Sequence, residues 1–431
     1  MTTALVPPRR IPDPAERGIR AGATRTAVRR TAVAVGGYLA VRAVGLLALL
    51  AYGSARHLPV LARLGGSWDA GWYVRIVRTG YGVSNGLIGH HGIPYSPRAF
   101  FPLYPGLAEP LYRLLPFGAA TDLALVSAVA GAAAAAGIHS CAAHCHGHRT
   151  GVVAAVLWGV LPLAAVENMG YSESLFTAFA AWTLYAVLTR RWLAAGVLSV
   201  LAGLTRPTAM AVTAAVAAAA LVELHRLYRQ HRLHRQPRAE GWQRPLAAGL
   251  LAPLGWLGYM LWTGRAVGSW GGYFHIQDAW GSSFDGGLSA LRRLLHLLAG
   301  SQHRAAGSGS AAAAGPAAHT PHISTAVTVL TVLVMAATVL AGLGLFVLAL
   351  IRRQPLPLLV YSAALLVMDL GNSSSSPPLA RFLLPAFALL FPAAEWLAGL
   401  RRGTTVALLG SCALLSGLYG IVVVFLAGAP A

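Results

Sequence analysis

The chain has 431 residues, 56% of them hydrophobic and 11% charged, and its mean hydropathy is +0.61. A formal charge of +20 on a soluble chain would point to nucleic acid. Here, however, all 33 Lys/Arg positions are arginine, and they largely flank apolar runs close to the roughly 20 residues that cross a bilayer. That pattern describes an all-α polytopic membrane protein, and the three cysteines (Cys141, Cys145 and Cys412) make no disulfide framework.

Residues 1–30 form a basic, Pro-containing segment expected to be a disordered cytoplasmic tail, and 31–431 a single transmembrane domain. The first span runs from Thr31 to about Ala55, too long for the apolar core of a cleaved signal peptide. Arg42 inside it either snorkels toward the cytoplasm, the favoured reading, or lines the protein interior. Further spans are predicted near 121–143, 150–167, 173–189, 192–205, 207–224, 245–264, 324–351, 355–370, 381–399 and 403–428, about eleven in all. The connections bearing Arg149, Arg190 with Arg191, the tract His225 to Arg244, Arg352 with Arg353, and Arg401 with Arg402 then share the cytoplasmic side. Loops 57–120 and 265–323, together with Glu167 to Glu173, Thr205 to Pro207 and Gly371 to Arg381, share the external face.

In the first external loop, Trp68, Trp72, Tyr73, Ile76 and Val77 recur at helical spacing, predicting a helix in the membrane interface with Ser67 as its cap. Asp69 falls in its first turn. There it serves either the helix end or, as one of few external carboxylates, a general base. Phe100 to Pro105 holds two prolines, which predict a rigid external turn rather than a helix.

Near the middle of the chain, His139, Cys141, His144, Cys145, His146 and His148 crowd the cytoplasmic end of a span. They lack a distant partner pair, so no metal is expected. Ser172 is placed to cap the helix that Glu173 opens, and Glu173 suits either the helix dipole or a substrate.

Arg206 precedes Pro207, and Arg381 follows Pro377 and Pro378, so both arginines sit at helix starts. The dipole disfavours a cation there. Either the arginines complete a phosphate site, or they pair with Glu167, Glu173 or Asp369. In the long external loop, Asp278 is an alternative catalytic carboxylate, Leu288 to Leu298 is amphipathic, and Ser301 to His319 is a flexible Ala/Gly/Ser-rich linker.

Taken together, Trp68-Asp69 through Tyr73, Ala99 through Pro105, Tyr171 through Phe176, Arg206-Pro207, Gln277 with Trp280, and Pro378 through Phe382 resemble the PIG-V-like mannosyltransferases, membrane enzymes of the GT-C class. The resemblance implies a GT-C-like bundle with external interfacial helices, using a polyprenyl-phosphate-mannose donor and a glycan, lipid or protein acceptor. It places the catalytic aspartate at Asp69. Substrate contacts are implied for Trp68, Trp72, Tyr73, Phe101, Tyr104, Tyr171, Glu173, Arg206, Gln277, Asp278 and Arg381. The chain departs from eukaryotic members after Arg206, where Pro-Thr stands instead of the expected Asn-Gly.

The expected reaction is inverting transfer, with Asp69 as base and Arg206 or Arg381 stabilising the departing phosphate. No cofactor, metal or nucleic acid is implied. The competing classes are a flippase or transporter of lipid-linked glycans, which would share the arginines without needing a base, and a noncatalytic assembly protein.

Overall fold

The computed structural model describes residues 14–82, 86–234, 241–289, 292, 325–372 and 379–426. Leu288 to Leu298 falls largely outside them, and the 301–319 linker, Pro377 and Pro378 fall entirely outside. The described residues are mainly helical, and among them the only β pairings are the isolated bridges Ile88–Pro94 and Phe284–Asn372. The helices are α1 (Pro14–Ala55), α2 (Val60–Gly66), α3 (Asp69–Thr79), α4 (Leu103–Leu114), α5 (Ala119–His146), α6 (His148–Gly159), α7 (Glu173–Leu188), α8 (Trp192–Gly203) and α9 (Met210–His234). They continue with α10 (Gln243–Leu251), α11 (Leu254–Val267), α12 (Gly272–Asp278), α13 (Thr325–Ile351), α14 (Leu356–Leu370), α15 (Leu379–Phe382), α16 (Phe391–Gly399) and α17 (Arg402–Ile421).

Six helical segments among the described residues are long and apolar enough to cross a bilayer: Thr26–Ala55, Ala119–His146, Pro207–Arg232, Gln243–Val267, Val329–Ile351 and Arg402–Leu426. The protein is therefore an integral membrane protein. The other five predicted spans fall on shorter helices, α6, α7, α8, α14 and α16. Two of them break where proline removes a backbone donor. The run predicted at 150–167 ends at Gly159 and, past Pro162, turns into a 3₁₀ segment at Ala164–Asn168. The run at 381–399 is interrupted at Pro385 and resumes as a 3₁₀ turn, Phe387–Leu390, leading into α16.

Helix α1 begins at Pro14, so residues 14–30, within the segment expected to be disordered, are helical and continuous with the span. Phe100 to Pro105 also departs from expectation. Helix α4 begins at Leu103 with Pro102 before it, so Pro105 falls in the first turn, where the missing N–H removes no intrahelical bond.

Helix α5 is the centre of one half of the bundle, packed against α1, α6 and α7. Small residues set the spacing: a Cβ added to Gly137 would meet Ala181 Cβ at 2.8 Å. Loops divide between two ends. At the basic end, Arg149 donates to the Leu400 carbonyl, Arg190 lies 3.3 Å from Glu223, and Arg352 reaches Glu395 at 2.5 Å. At the other end, the Gly170 amide donates to Leu64 at 3.2 Å, Leu103 to Leu204 at 2.9 Å, and His90 to Ala279 at 2.8 Å. This separation follows the loop alternation read from the arginines.

Arg42 does not snorkel. It is 7% exposed, donates to the Gly159 carbonyl at 3.2 Å and lies 3.7 Å from Glu167, whose carboxylate also accepts from Tyr38 at 2.9 Å. The broken end of α6 leaves a free carbonyl and turns Glu167 toward α1, and the guanidinium answers both.

Candidate active site

The loop end, opposite the basic end of the bundle, gathers four charged side chains from four separate elements. Arg381 Nη2 is 2.7 Å from Asp69 Oδ2, and Arg381 Nε is 3.3 Å from Glu173 Oε1. The same Glu173 oxygen lies 2.6 Å from Arg206 Nη1. The order is thus Asp69, Arg381, Glu173, Arg206. Glu173 is buried at 1% exposure, whereas the Asp69 side chain is 25% exposed, so the cluster opens on the aspartate side.

Each residue reaches this point for a local reason. Asp69 opens α3, where the helix dipole favours a carboxylate. The cap position belongs to Trp68, held at φ 51°, and not to Ser67; no side-chain cap bond forms. Such a left-handed conformation is costly for a bulky residue, and here it aims the first turn of α3 into the cluster. Arg206 is extended and precedes the Pro207–Ala209 turn. Arg381 lies on the short α15, and the turn after it is pinned by Trp158 donating to the Leu384 carbonyl and Tyr361 donating to that of Pro385, at 2.9 and 2.8 Å. Burial disfavours charge on Arg381, but Asp69 and Glu173 outweigh it and hold its pKa above the ordinary value.

Aromatic rings complete the walls. Tyr171 and Phe382 each stand 5.2 Å from the Arg381 guanidinium carbon, and Phe382 is 5.5 Å from that of Arg206. Ser172, predicted as a helix cap, makes no cap bond. Its Oγ instead accepts from Tyr73 at 2.9 Å and from Arg206 at 3.3 Å, tying α3 to the Arg206 turn. Burial pushes the Tyr73 phenol up, which keeps it a donor in that bond.

Other predicted residues form the surround. Tyr104 bonds Ser127 at 2.7 Å and meets Tyr73 edge-on at 4.8 Å between ring centroids. Trp68 packs beneath α2 and α3 in the apolar group containing Leu64 and Tyr171. Trp72 stacks on Phe100 at 5.8 Å and meets Trp280 edge-on at 5.5 Å. Phe101 lies in a different apolar group, tilted against Tyr259 at 4.3 Å. Gln277 donates to the Tyr273 hydroxyl at 2.6 Å. Asp278, the alternative carboxylate, is 46% exposed with His275 at 3.9 Å.

Ser172 and Phe382 were not predicted as site residues; adjacency to Glu173 and Arg381 was the available signal. In the His/Cys group, His139 Nε2 is 2.9 Å from His148 Nδ1, and the Cys141 thiol donates to the Ala181 carbonyl.

Residues 102–235 match the family model for dolichyl-phosphate-mannose-protein mannosyltransferases. That stretch holds Tyr104, Tyr171, Glu173 and Arg206, while Asp69 and Arg381 lie outside it. Among solved structures, the chain is similar to ArnT from Cupriavidus metallidurans bound to undecaprenyl phosphate, at 15% identity and a TM-score of 0.48, over 86% of this chain and 62% of that one. It is also similar to the oligosaccharyltransferase of Archaeoglobus fulgidus in the apo form, at 14% identity and a TM-score of 0.44, over 89% of this chain and 56% of that one. The chain thus spans less than two thirds of the length of either structure. No curated protein matches it.

Proposed function

We propose that this protein is a membrane glycosyltransferase of the GT-C class, transferring mannose from a polyprenyl-phosphate donor to a glycan, lipid or protein acceptor on the extracytoplasmic face. The observation that carries the reading is the convergence of Asp69 with Arg381 and Arg206 in one partly open cluster. A carboxylate that can take a proton beside two fixed guanidiniums is the equipment for displacing a phosphate. The match of residues 102–235 to dolichyl-phosphate-mannose-protein mannosyltransferases supports the same donor chemistry.

In this mechanism Asp69 accepts the proton of an acceptor hydroxyl, and the oxygen forms a bond to the anomeric carbon. The bond from that carbon to the phosphate oxygen breaks, and its electron pair leaves with the phosphate. Attack opposite the leaving group inverts the anomeric configuration. Before transfer the donor diester carries one negative charge and Asp69 another; afterwards the lipid phosphate carries both and Asp69 is neutral. The arginines therefore meet the same total charge throughout, concentrated on the leaving group as it departs.

The deciding experiment incubates purified protein in lipid nanodiscs with polyprenyl-phosphate mannose labelled in the sugar, together with lipid, glycan and peptide acceptors. Labelled acceptor and free polyprenyl phosphate are expected. Lipid that crosses a vesicle bilayer with its sugar-phosphate bond intact would overturn the reading in favour of a flippase.

A further inference from the structure

Asp69 is the most open member of the charged cluster and is held by Arg381, one of the two arginines assigned to the donor phosphate. In that ion pair the carboxylate oxygen that would receive an acceptor hydroxyl is already occupied by the guanidinium. Glu173 differs. Buried, and within 2.6 Å of Arg206 and 3.3 Å of Arg381, it keeps both guanidiniums in place whatever happens at the aspartate side. Tyr171 and Phe382 each pack a ring against the Arg381 guanidinium. The arginine is fixed, and its Asp69 partner, at the open edge of the cluster, is the exchangeable one.

We propose that the donor phosphate replaces Asp69 as the partner of Arg381, so that donor binding itself releases the catalytic base. This inference rests on the glycosyl-transfer reading and assigns an order to it: lipid phosphate first, acceptor hydroxyl second. The cluster of two guanidiniums and two carboxylates is neutral as it stands. Displacing Asp69 leaves Arg206, Arg381 and Glu173 with one net positive charge, matched to a singly charged phosphate diester. Freed from Arg381, the Asp69 carboxylate is open to hydrogen-bond the acceptor hydroxyl. Without donor, Asp69 stays paired with Arg381 and is closed to an acceptor hydroxyl.

The test uses an isoprenyl methyl phosphate, a diester with one charge and no sugar to transfer, bound to protein in nanodiscs. Asp69→Asn and Asp69→Ser each remove the competing anion. Both are expected to bind the probe about tenfold more tightly than the wild type, a difference of about 1.4 kcal/mol. In the wild type the probe should increase modification of Asp69 by a water-soluble carbodiimide, whereas simple occupancy of the site would protect it. Unchanged or weaker binding by the variants, or protection of Asp69, overturns the exchange while leaving the transferase reading intact. Absence of probe binding to every form overturns both. The labelling measurement needs only wild-type protein, so the test survives a variant that fails to insert.

Discussion

Arg206 and Glu173 meet at 2.6 Å between the start of α7 and the turn that leads into α9, and Glu173 is almost completely buried. The pair joins two helix starts that would each repel or attract charge differently if alone. Glu173 sits favourably in a first turn, while Arg206 at the other helix start is unfavourable without it. Removing the carboxylate leaves two guanidiniums short of a partner. Glu173→Gln is expected to lower stability by about 3–5 kcal/mol, read by thermal unfolding in detergent. Millimolar phosphate should restore part of the loss, because an anion bound only by the folded state raises stability by mass action.

Asp69→Asn keeps the side-chain size but removes the base. Turnover is expected to fall by roughly 100-fold or more, with normal membrane insertion and unfolding temperature. Near-normal transfer would move the base to another carboxylate, with Asp278 the first to examine.

For the arginines, Arg206→Lys and Arg381→Lys keep a charge but lose the planar fork that bonds a phosphate and a carboxylate together. The KM for the donor should rise more than the KM for the acceptor. Gln at either position should be worse than Lys, since the leaving phosphate then faces a low-dielectric site without charge compensation. Equal effects on the two substrates would argue against phosphate contact.

The Arg42–Glu167 pair lies away from the proposed chemistry, with its Nε to Oε2 distance at 3.7 Å. Arg42→Met alone leaves a buried unpaired carboxylate and should cost about 3–5 kcal/mol. Combining it with Glu167→Leu should recover much of that cost, in a cycle measured by thermal unfolding. Additive single effects would show that the two residues do not act as a pair.

Sidedness is tested by cysteines at His91 and Trp270, both exposed at the loop end, and at Gln230, exposed near the basic end of α9. An impermeant thiol reagent applied to intact cells should label the first two and not the third. The reverse pattern would place the charged cluster on the cytoplasmic side.

Much of this architecture follows from local chemistry and is legible along the chain. Apolar run length marks the long spans, arginine placement orders the loop ends, and the spacing of Trp72, Tyr73, Ile76 and Val77 marks α3. The residue types of the candidate site were legible for the same reason: carboxylates and arginines are costly beside a membrane and stand out against the apolar background. What local rules could not decide is pairing. Ser67 and Ser172 read as helix caps because that is the commonest use of serine there, yet Ser172 is taken by Tyr73 and Arg206 from distant elements. Arg42 read as a snorkelling side chain until the break after Gly159 presented it with a carbonyl and a carboxylate.

Sequence by itself thus determined that this is a helical membrane protein with its unusual polar groups at one end. Only the tertiary structure decided that Asp69, Arg381, Glu173 and Arg206 form one ion-pair chain. The physical reason is that hydropathy and helix signals are read within a few turns, while an ion pair between residues from four elements depends on how the helices pack, which no local spacing encodes.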